Sequence, residues 1–395
     1  MKYLRLIILV VAVLGIPACA RQGTTSLIER HHQFSMAIGK MEDQIDLIQL
    51  PGQSFQQSID LVMKNGLFFV SNGAARKVME FSSYGDLLTL YYNKNTSPTP
   101  VLLGRGSDTG AKANRKAFVY PFSEVGSIGI TDSGLLLVQD AVAEDRQLWD
   151  PDTGSLLRNV ILRFNEDGAL VDYIGQEGVS GTPFGYIDSI SVGLEDDLTV
   201  ITRTLNEWIV FSFDIDGLLR YTFTLSDEIL PVVEPGDVAS LDVVVAAPET
   251  DRLYVKADYY RDQLAAGEGG ESDYRFLKSS LHWFNMKTGA VAGSLDLPPA
   301  VRTSGMAQMF NREEQEIIQY LAGVSQGGHA YLVSQATEDS YSLAIVNLSG
   351  LVVHRGTIEL IDSETLFRKF YVTRGGILTA LIGGNTEADI VLWRT

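Results

Sequence analysis

The 395 residues include 49 acidic and 31 basic side chains and carry a formal charge of −18. A chain this acidic does not attract a phosphate backbone, so we predict no nucleic-acid partner. The only cysteine is Cys19, which excludes a disulfide framework and a cysteine-based metal site from the remainder of the chain.

The beginning of the chain is typical of an export signal. A basic start, Met1–Arg5, precedes an unbroken apolar run, Leu6–Gly15, and small residues then lead to Cys19. This order of charge, apolar run and small residues is what the export machinery recognises and cleaves. The apolar run is shorter than the ~20 residues that a membrane-spanning helix needs.

The segment Ile16–Cys19 resembles the lipobox of bacterial lipoproteins, with Ile16 where leucine is usual. The resemblance implies a signal peptide at 1–18, a lipid on Cys19, and an anchor and tether at 19–42. Two or more acyl chains hold a protein at a membrane because each buried CH₂ contributes ~0.8 kcal/mol. Ala20 in place of aspartate favours the outer membrane, with the domain facing the periplasm or the surface. The alternative is an ordinary cleaved signal with an incidental cysteine.

A repeated pattern occupies most of the rest of the chain. A strand ends on an apolar or aromatic residue, a short turn follows, and a glycine precedes the next strand. Glycine accepts the positive φ of a tight hairpin. A second hairpin precedes this one, so each unit contains four short strands. The strand ends and glycines of the five copies are Phe81 and Gly85, Phe164 and Gly168, Phe213 and Gly217, Phe284 and Gly289, and Val346 and Gly350.

Four-stranded units repeated along one chain are the blades of a β-propeller. A sixth unit ends at Trp393 without its fourth strand, and Gln44–Leu50 near the other end has the pattern of a strand. Pairing of these two segments would leave no sheet edge exposed. We predict an all-β, six-bladed propeller over residues 43–395, closed by an N-terminal strand. Seven blades is the alternative if the helically spaced segment 303–321 conceals another unit.

The strand pattern is similar to that of NHL-repeat and TolB-like six-bladed propellers and extends over residues 43–395. This resemblance implies a fold and not an activity. The function-bearing residues of the enzymatic members do not stand out in this chain, and one propeller architecture serves many functions.

Four long insertions should lie on one face of the propeller. They are Asn93–Phe118 and Val301–Glu316, between blades, and Ala141–Asn159 and Tyr259–Leu277, between the second and third strands of a blade. Both kinds of connection emerge on the same side of the ring, and long loops in a compact domain are usually functional. We predict that this side binds a partner.

Two insertions contain residue types that favour binding. The first is locally basic in an acidic chain, and the third combines tyrosine with arginine, which are frequent binding anchors. The candidate ligand-face residues are Arg105, Lys112, Arg115, Lys116, Tyr259, Tyr260, Arg261, Tyr274 and Arg275.

Three carboxylates fall near the start of innermost strands: Asp60, Asp188 and Asp242. If they converge in the channel, their oxygens could coordinate Ca²⁺, although Asp188 is out of register with the other two. No other cofactor and no catalytic residue is predicted. The sequence favours a membrane-anchored scaffold that binds a protein, peptide or glycan. The alternative is a metal-dependent hydrolase or lactonase with its site in the channel.

Overall fold

The computed structural model describes residues 26–47, 58–101, 115–232, 234, 236–249, 251–262, 274–302, 315–337, 339–361 and 364–394. Cys19, Arg105 and Lys112 lie outside these ranges. Six small sheets form a ring around a central channel. The protein is therefore a six-bladed β-propeller, as predicted, and the seven-bladed alternative is wrong.

Two strands precede the first blade: β1 (Ser26–Leu27) and β2 (Arg30–Ala37). The first three blades follow in chain order. Blade 1 comprises β3 (Ile59–Lys64), β4 (Leu67–Asn72), β5 (Lys77–Phe81) and β6 (Leu87–Tyr92), with β7 (Lys116–Val119) added at its edge. Blade 2 comprises β8 (Ile128–Ile130), β9 (Leu136–Ala141), β12 (Asn159–Phe164) and β13 (Leu170–Gly175), with the inserted hairpin β10 (Leu148–Asp150) and β11 (Ser155–Leu157) and the edge strand β14 (Gly178–Val179). Blade 3 comprises β15 (Tyr186–Val192), β16 (Leu198–Arg203), β17 (Trp208–Phe213) and β18 (Leu219–Leu225).

The last three blades complete the ring. Blade 4 comprises β19 (Asp237–Ala246), β20 (Arg252–Asp262), β21 (Tyr274–Asn285) and β22 (Val291–Asp296). A hairpin of β23 (Ala300–Arg302) and β24 (Gln315–Ile317) precedes blade 5, which comprises β25 (Tyr320–Val324), β26 (His329–Gln335), β27 (Ser340–Asn347) and β28 (Val352–Glu359). Blade 6 comprises β29 (Phe367–Val372), β30 (Leu378–Gly383), β31 (Glu387–Trp393) and β2. The short 3₁₀ turns in the described chain are Glu144–Arg146 and Asp227–Ile229. The helix expected from the spacing of 303–321 is absent from the described part of this segment, residues 315–321, which contributes to β24 and β25.

The repeat glycines stand where the hairpins need them. Gly85, Gly168, Gly217, Gly289 and Gly350 all have φ between 68° and 84°. An L-residue with a β-carbon rarely adopts this backbone conformation. Gly85 also lies against Phe34, and a β-carbon there would stand 2.7 Å from the Phe34 Cβ. This turn therefore requires glycine for its backbone conformation and for its close packing.

The core consists of apolar layers between neighbouring blades. The strand-end residues that define the sequence repeat are all 1% exposed or less: Phe81, Phe164, Phe213, Phe284, Val346 and Trp393. The layer between blades 6 and 1 contains residues from both ends of the chain, among them Phe34, Phe81 and Ile390.

Each blade begins with its innermost strand, so the two sides of the ring carry different connections. We call the side with the first-to-second and third-to-fourth strand turns the turn face. The opposite side carries the second-to-third connections and the crossings between blades, and we call it the loop face. All four predicted insertions interrupt connections of the loop-face kind.

An N-terminal strand closes the ring, as predicted, but this strand is β2 and not the predicted segment Gln44–Leu50. β2 pairs with β31 from Arg30 opposite Trp393 to Ala37 opposite Glu387. The propeller therefore starts inside the segment predicted to be tether, residues 19–42. The described part of Gln44–Leu50 instead buries Ile45 and Leu47 between blades 6 and 1. A bulge between His32 and Phe34 interrupts the alternation of β2, so only the long-range pairing identifies it as the closing strand.

We predict that Phe34→Ala destabilises the ring by about 3 kcal/mol, the usual cost of truncating a buried phenylalanine. Phe34 is 6% exposed, and its ring lies 5.6 Å from Phe68 and 5.2 Å from Phe81. Urea unfolding followed by tryptophan fluorescence measures the change. His31→Ala, at a half-exposed position of the same strand, is the control. Equal stability of the two variants would contradict the assigned role of β2.

Candidate functional site

The inserted hairpin of blade 2 carries an exposed apolar patch on the loop face. Trp149 and Leu156 are 65% and 43% exposed, and we call them the hairpin patch. Trp149 and Leu156 are direct cross-strand partners, so their side chains share one face of the hairpin. Exposed tryptophan and leucine close together are more typical of a binding surface than of a solvated loop.

The first insertion does not keep its basic residues on the loop face. β7 runs parallel to β6, and its first residue therefore lies near the turn face at the outer wall of blade 1. Arg115 forms an ion pair with Asp86 at 3.1 Å. Lys116 donates to the Glu166 carbonyl oxygen at 3.0 Å. The prediction that Arg115 and Lys116 line the loop face is therefore wrong, because both contact turn-face hairpins, at Asp86 and Glu166.

The third insertion divides its candidate residues between the core and the surface. Tyr259 is 4% exposed, and its hydroxyl lies 2.9 Å from Nε2 of His282. Arg261 binds Asp237 at 2.9 Å, and Tyr260 is half-buried. Tyr274 and Arg275 are exposed. Tyr259 is therefore structural, whereas Tyr274 and Arg275 are accessible for binding.

The central channel forms a cavity of about 740 Å³ that is lined by the innermost strands of all six blades. Five polar side chains on its wall come from five different blades: Asp60, Asp188, Asp242, Tyr320 and Lys369. We call these residues the channel cluster. They lie nearer the loop-face end of the innermost strands, and the wall between them and the turn face is mainly apolar.

Two β-bulges turn carboxylates of the cluster towards the channel. The pairing of β15 with β16 skips Asp188, and the pairing of β19 with β20 skips Asp242. A bulge re-aims a side chain without ending the strand. The bulge explains how Asp188 reaches the channel although it is out of register with Asp60 in the sequence repeat.

Two of the three carboxylates are bound to lysines. Lys369 Nζ lies 3.2 Å from Asp60 Oδ1, and Asp60 Oδ2 accepts a hydrogen bond from the Ile128 backbone N–H at 3.0 Å. Lys256, which is fully buried, lies 2.8 Å from Asp242 Oδ2. The Asp60 carboxylate raises the pKa of Lys369 above its usual range against the opposing effect of burial. Both carboxylates are thus engaged in ion pairs.

Lys256 also binds a second carboxylate behind the channel wall. Its Nζ lies 2.7 Å from Asp258 Oδ1, and Asp258 accepts a further hydrogen bond from the Ser279 hydroxyl at 2.5 Å. A buried lysine needs such partners because an unpaired internal charge is costly.

Asp188 and Tyr320 complete the cluster. No hydrogen bond or ion pair reaches the Asp188 carboxylate from the described part of the chain. Burial raises its pKa, although Lys369 and Arg203 oppose that effect. Burial likewise raises the pKa of Tyr320, and the cluster's carboxylates add to the increase while Lys369 opposes it. Tyr320 is still 46% exposed because it borders the open channel.

Among the described residues, no group of three or more histidine, cysteine, aspartate or glutamate side chains is placed to hold a metal ion. Asp60, Asp188 and Asp242 line the same cavity, as the sequence suggested, but lysines stand beside Asp60 and Asp242. Sequence reasoning missed Lys369 and Tyr320. Both are polar residues near the start of innermost strands that are otherwise mainly apolar, and this feature of the sequence could have identified them as channel residues.

The turn-face end of the channel is crossed by ionic contacts between blades. Arg374 of blade 6 forms an ion pair with Asp132 of blade 2 at 3.1 Å. It also donates to the backbone carbonyls of Val192 and Gly193, in blade 3, at 3.0 and 2.6 Å. Lys64 lies 2.6 Å from Asp132 and lowers its pKa. We call Lys64, Asp132 and Arg374 the clasp. Its contacts cross the turn-face mouth of the channel.

No protein-family model matches the chain, and no curated protein sequence matches it. Among solved structures, a Bacteroides caccae protein of unknown function is 9% identical, with 80% of this chain and 81% of that one covered and a TM-score of 0.35. A Dyadobacter fermentans protein of unknown function is 10% identical, with 93% and 99% covered and a TM-score of 0.38. A luciferin-regenerating enzyme is 8% identical, with 85% and 90% covered and a TM-score of 0.39. These similarities carry no argument about function. In the described residues, no helix is long and apolar enough to cross a membrane.

We predict that Asp188→Asn keeps or raises the thermal stability at pH 7. Because the folded state raises the pKa of Asp188, its contribution to stability is fully present below the unfolded pKa of about 4 and is lost as pH rises through the folded value. Asparagine does not ionise, so the variant should lack this loss. Melting temperatures of the wild type and the variant at several pH values between 4 and 7 measure this pH-dependent loss of stability.

The matched control is Asp167→Asn, whose side chain is 90% exposed on the turn face. It should change neither the melting temperature nor its dependence on pH. A clear drop in the melting temperature of Asp188→Asn at pH 7 would show that the carboxylate stabilises the fold instead.

Proposed function

We propose that this protein is a membrane-anchored, extracytoplasmic binding lipoprotein that holds a protein, peptide or glycan partner on the loop face of its propeller. The observation that carries the proposal is the hairpin patch, where Trp149 and Leu156 are exposed side by side on an insertion of that face. Exposed Tyr274 and Arg275 on the same face support it. Tryptophan, tyrosine and arginine are the residues that most often dominate binding energy.

The state of the channel carboxylates favours binding over the alternative of a channel hydrolase. A metal-dependent hydrolase needs carboxylates that are free to coordinate the ion. Asp60 and Asp242 are held by Lys369 and Lys256.

The proposed anchor is a lipid on Cys19, supported by the lipobox-like segment Ile16–Cys19. Strand β2 starts opposite Trp393, at the turn-face end of blade 6. The chain from Cys19 to Ser26 can span at most about 25 Å, at ~3.5 Å per residue. Ser26 pairs with Gly356 on the outermost strand of blade 5, so a lipid on Cys19 would hold the rim of that blade within this distance of the membrane. The outer membrane is the proposed location.

We predict that Cys19→Ser moves the protein from the membrane fraction to the soluble fraction or leaves it uncleaved. Without the thiol there is no site for the acyl chains that would hold the mature protein at the bilayer. Fractionation and intact-mass measurement of wild type and variant provide the test, with Ser26→Ala as the control. A wild-type mass without added lipid, or unchanged membrane association of the variant, would contradict the proposed anchor.

We predict that Trp149→Ser weakens partner retention at least tenfold. A tryptophan at the centre of an interface commonly contributes 2 kcal/mol or more. The purified protein is immobilised, envelope extract is passed over it, and retained species are quantified by mass spectrometry. Tyr84→Ser is the matched control, because Tyr84 is 88% exposed on the turn face. Species retained equally by both variants would not be loop-face partners, and the absence of any that depends on Trp149 would contradict the proposal.

A further inference from the structure

None of the described residues donates a hydrogen bond to the Asp188 carboxylate at the channel. Arg203 of the same blade stacks over Trp208 with its Cζ 4.8 Å from the ring centroid, and no ion pair joins it to Asp188. A partly buried carboxylate with no hydrogen bond has lost water contacts without replacement. A ligand that supplies an N–H donor would restore them.

The channel cluster and the groups paired with it contain more carboxylates than lysines. Lys369 and Asp60 balance each other. The single charge of Lys256 is shared by Asp242 and Asp258, and Asp188 is the remaining carboxylate. Arg203 also lines the channel, and Lys64 and Arg374 outnumber Asp132 at the clasp, so the lining as a whole is close to neutral. The attraction for an ammonium group is therefore local to Asp188, with which no described residue forms an ion pair, and the partial exclusion of water would strengthen that attraction.

The wall beyond the cluster suits a hydrocarbon. Between the cluster and the clasp, the lining residues are mainly half-exposed and β-branched, including Val62, Ile130, Val192, Val243 and Val245. A cavity of about 740 Å³ is large enough for a short chain, and burial of each CH₂ contributes roughly 0.8 kcal/mol. A charged group at the cluster with an alkyl chain below it would match both regions.

We propose that the channel binds a primary ammonium group carried on a hydrocarbon chain, either a free amine or a lysine side chain of a partner. Asp188 is the ion-pair acceptor, and Tyr320 supplies a second acceptor oxygen and an accessible ring face. Access is from the loop face, because the clasp crosses the other end. This inference rests on the accessible loop face of the proposed function but uses no residue of the hairpin patch.

The test is calorimetric titration of the purified full chain with n-butylammonium, and with n-butanol as the uncharged probe of equal length. We expect saturable binding of the amine, with the alcohol at least tenfold weaker. Asp188→Asn should weaken amine binding at least tenfold, as expected for loss of a charge-assisted bond. Tyr320→Phe should weaken it about two- to tenfold. Asp167→Asn, the same charge change on the turn face, should bind like the wild type.

A second titration separates the two sources of the ammonium group. Nα-acetyl-lysine N-methylamide that binds more tightly than n-butylammonium indicates a lysine side chain, whereas tighter binding of n-butylammonium indicates a free amine. No saturable binding of either cation, equal binding of n-butanol, or undiminished binding by a folded Asp188→Asn would overturn the proposal. Trp149→Ser should leave amine binding unchanged, so failure of the partner proposal and failure of this one can be told apart.

Discussion

The propeller depends on backbone pairing between the two ends of its chain. Strand β2 completes blade 6 by pairing with β31, and Phe34 on the same strand packs against blade 1. One short segment therefore satisfies the open edge of the last blade and fills the layer between the last and first blades. The ion pair of Lys369 with Asp60 crosses the same boundary. The channel cluster consequently has its geometry only when the ring is closed.

The two faces of the ring differ because the turn face carries tight hairpins and the loop face carries connections whose length is less restricted. The turn-face hairpins are short and need glycine at positive φ, as at Gly85, so they tolerate little insertion. The clasp adds ionic contacts across that side, and Arg374 joins blade 6 to blades 2 and 3. Loop-face connections can lengthen at small entropic cost, since loop closure grows only with the logarithm of length. The long insertions of this chain accordingly interrupt connections on the side away from the clasp.

The blades could be predicted from sequence because the determinants of each blade are local. A glycine such as Gly217 and a strand-end residue such as Phe213 lie within a few positions of each other. The closing strand could not be predicted, since β2 has a bulge between His32 and Phe34 that interrupts its alternation. The channel location of Asp60 and Asp242 followed from their place on innermost strands. Lys369 was not predicted as the partner of Asp60, because a contact between two blades leaves no local pattern in the sequence. Lys256 was missed although it lies on the strand next to Asp242 in blade 4.

Asp188 carries the argument for a channel ligand because its contribution to stability does not explain its presence. A bulge places this carboxylate at the channel, burial raises its pKa, and no described residue binds it. Partial burial of a carboxylate without a hydrogen bond lowers the stability of the fold unless another interaction offsets the lost hydration. Such locally unfavourable positions concentrate at functional sites. Asp60 and Asp242, by contrast, each form an ion pair with a lysine of the chain, which is how a carboxylate with a purely structural role is stabilised in this channel. At Asp188 the described chain supplies no such direct partner, although Lys369 and Arg203 stabilise its charge, and we assign the role of direct partner to the ligand.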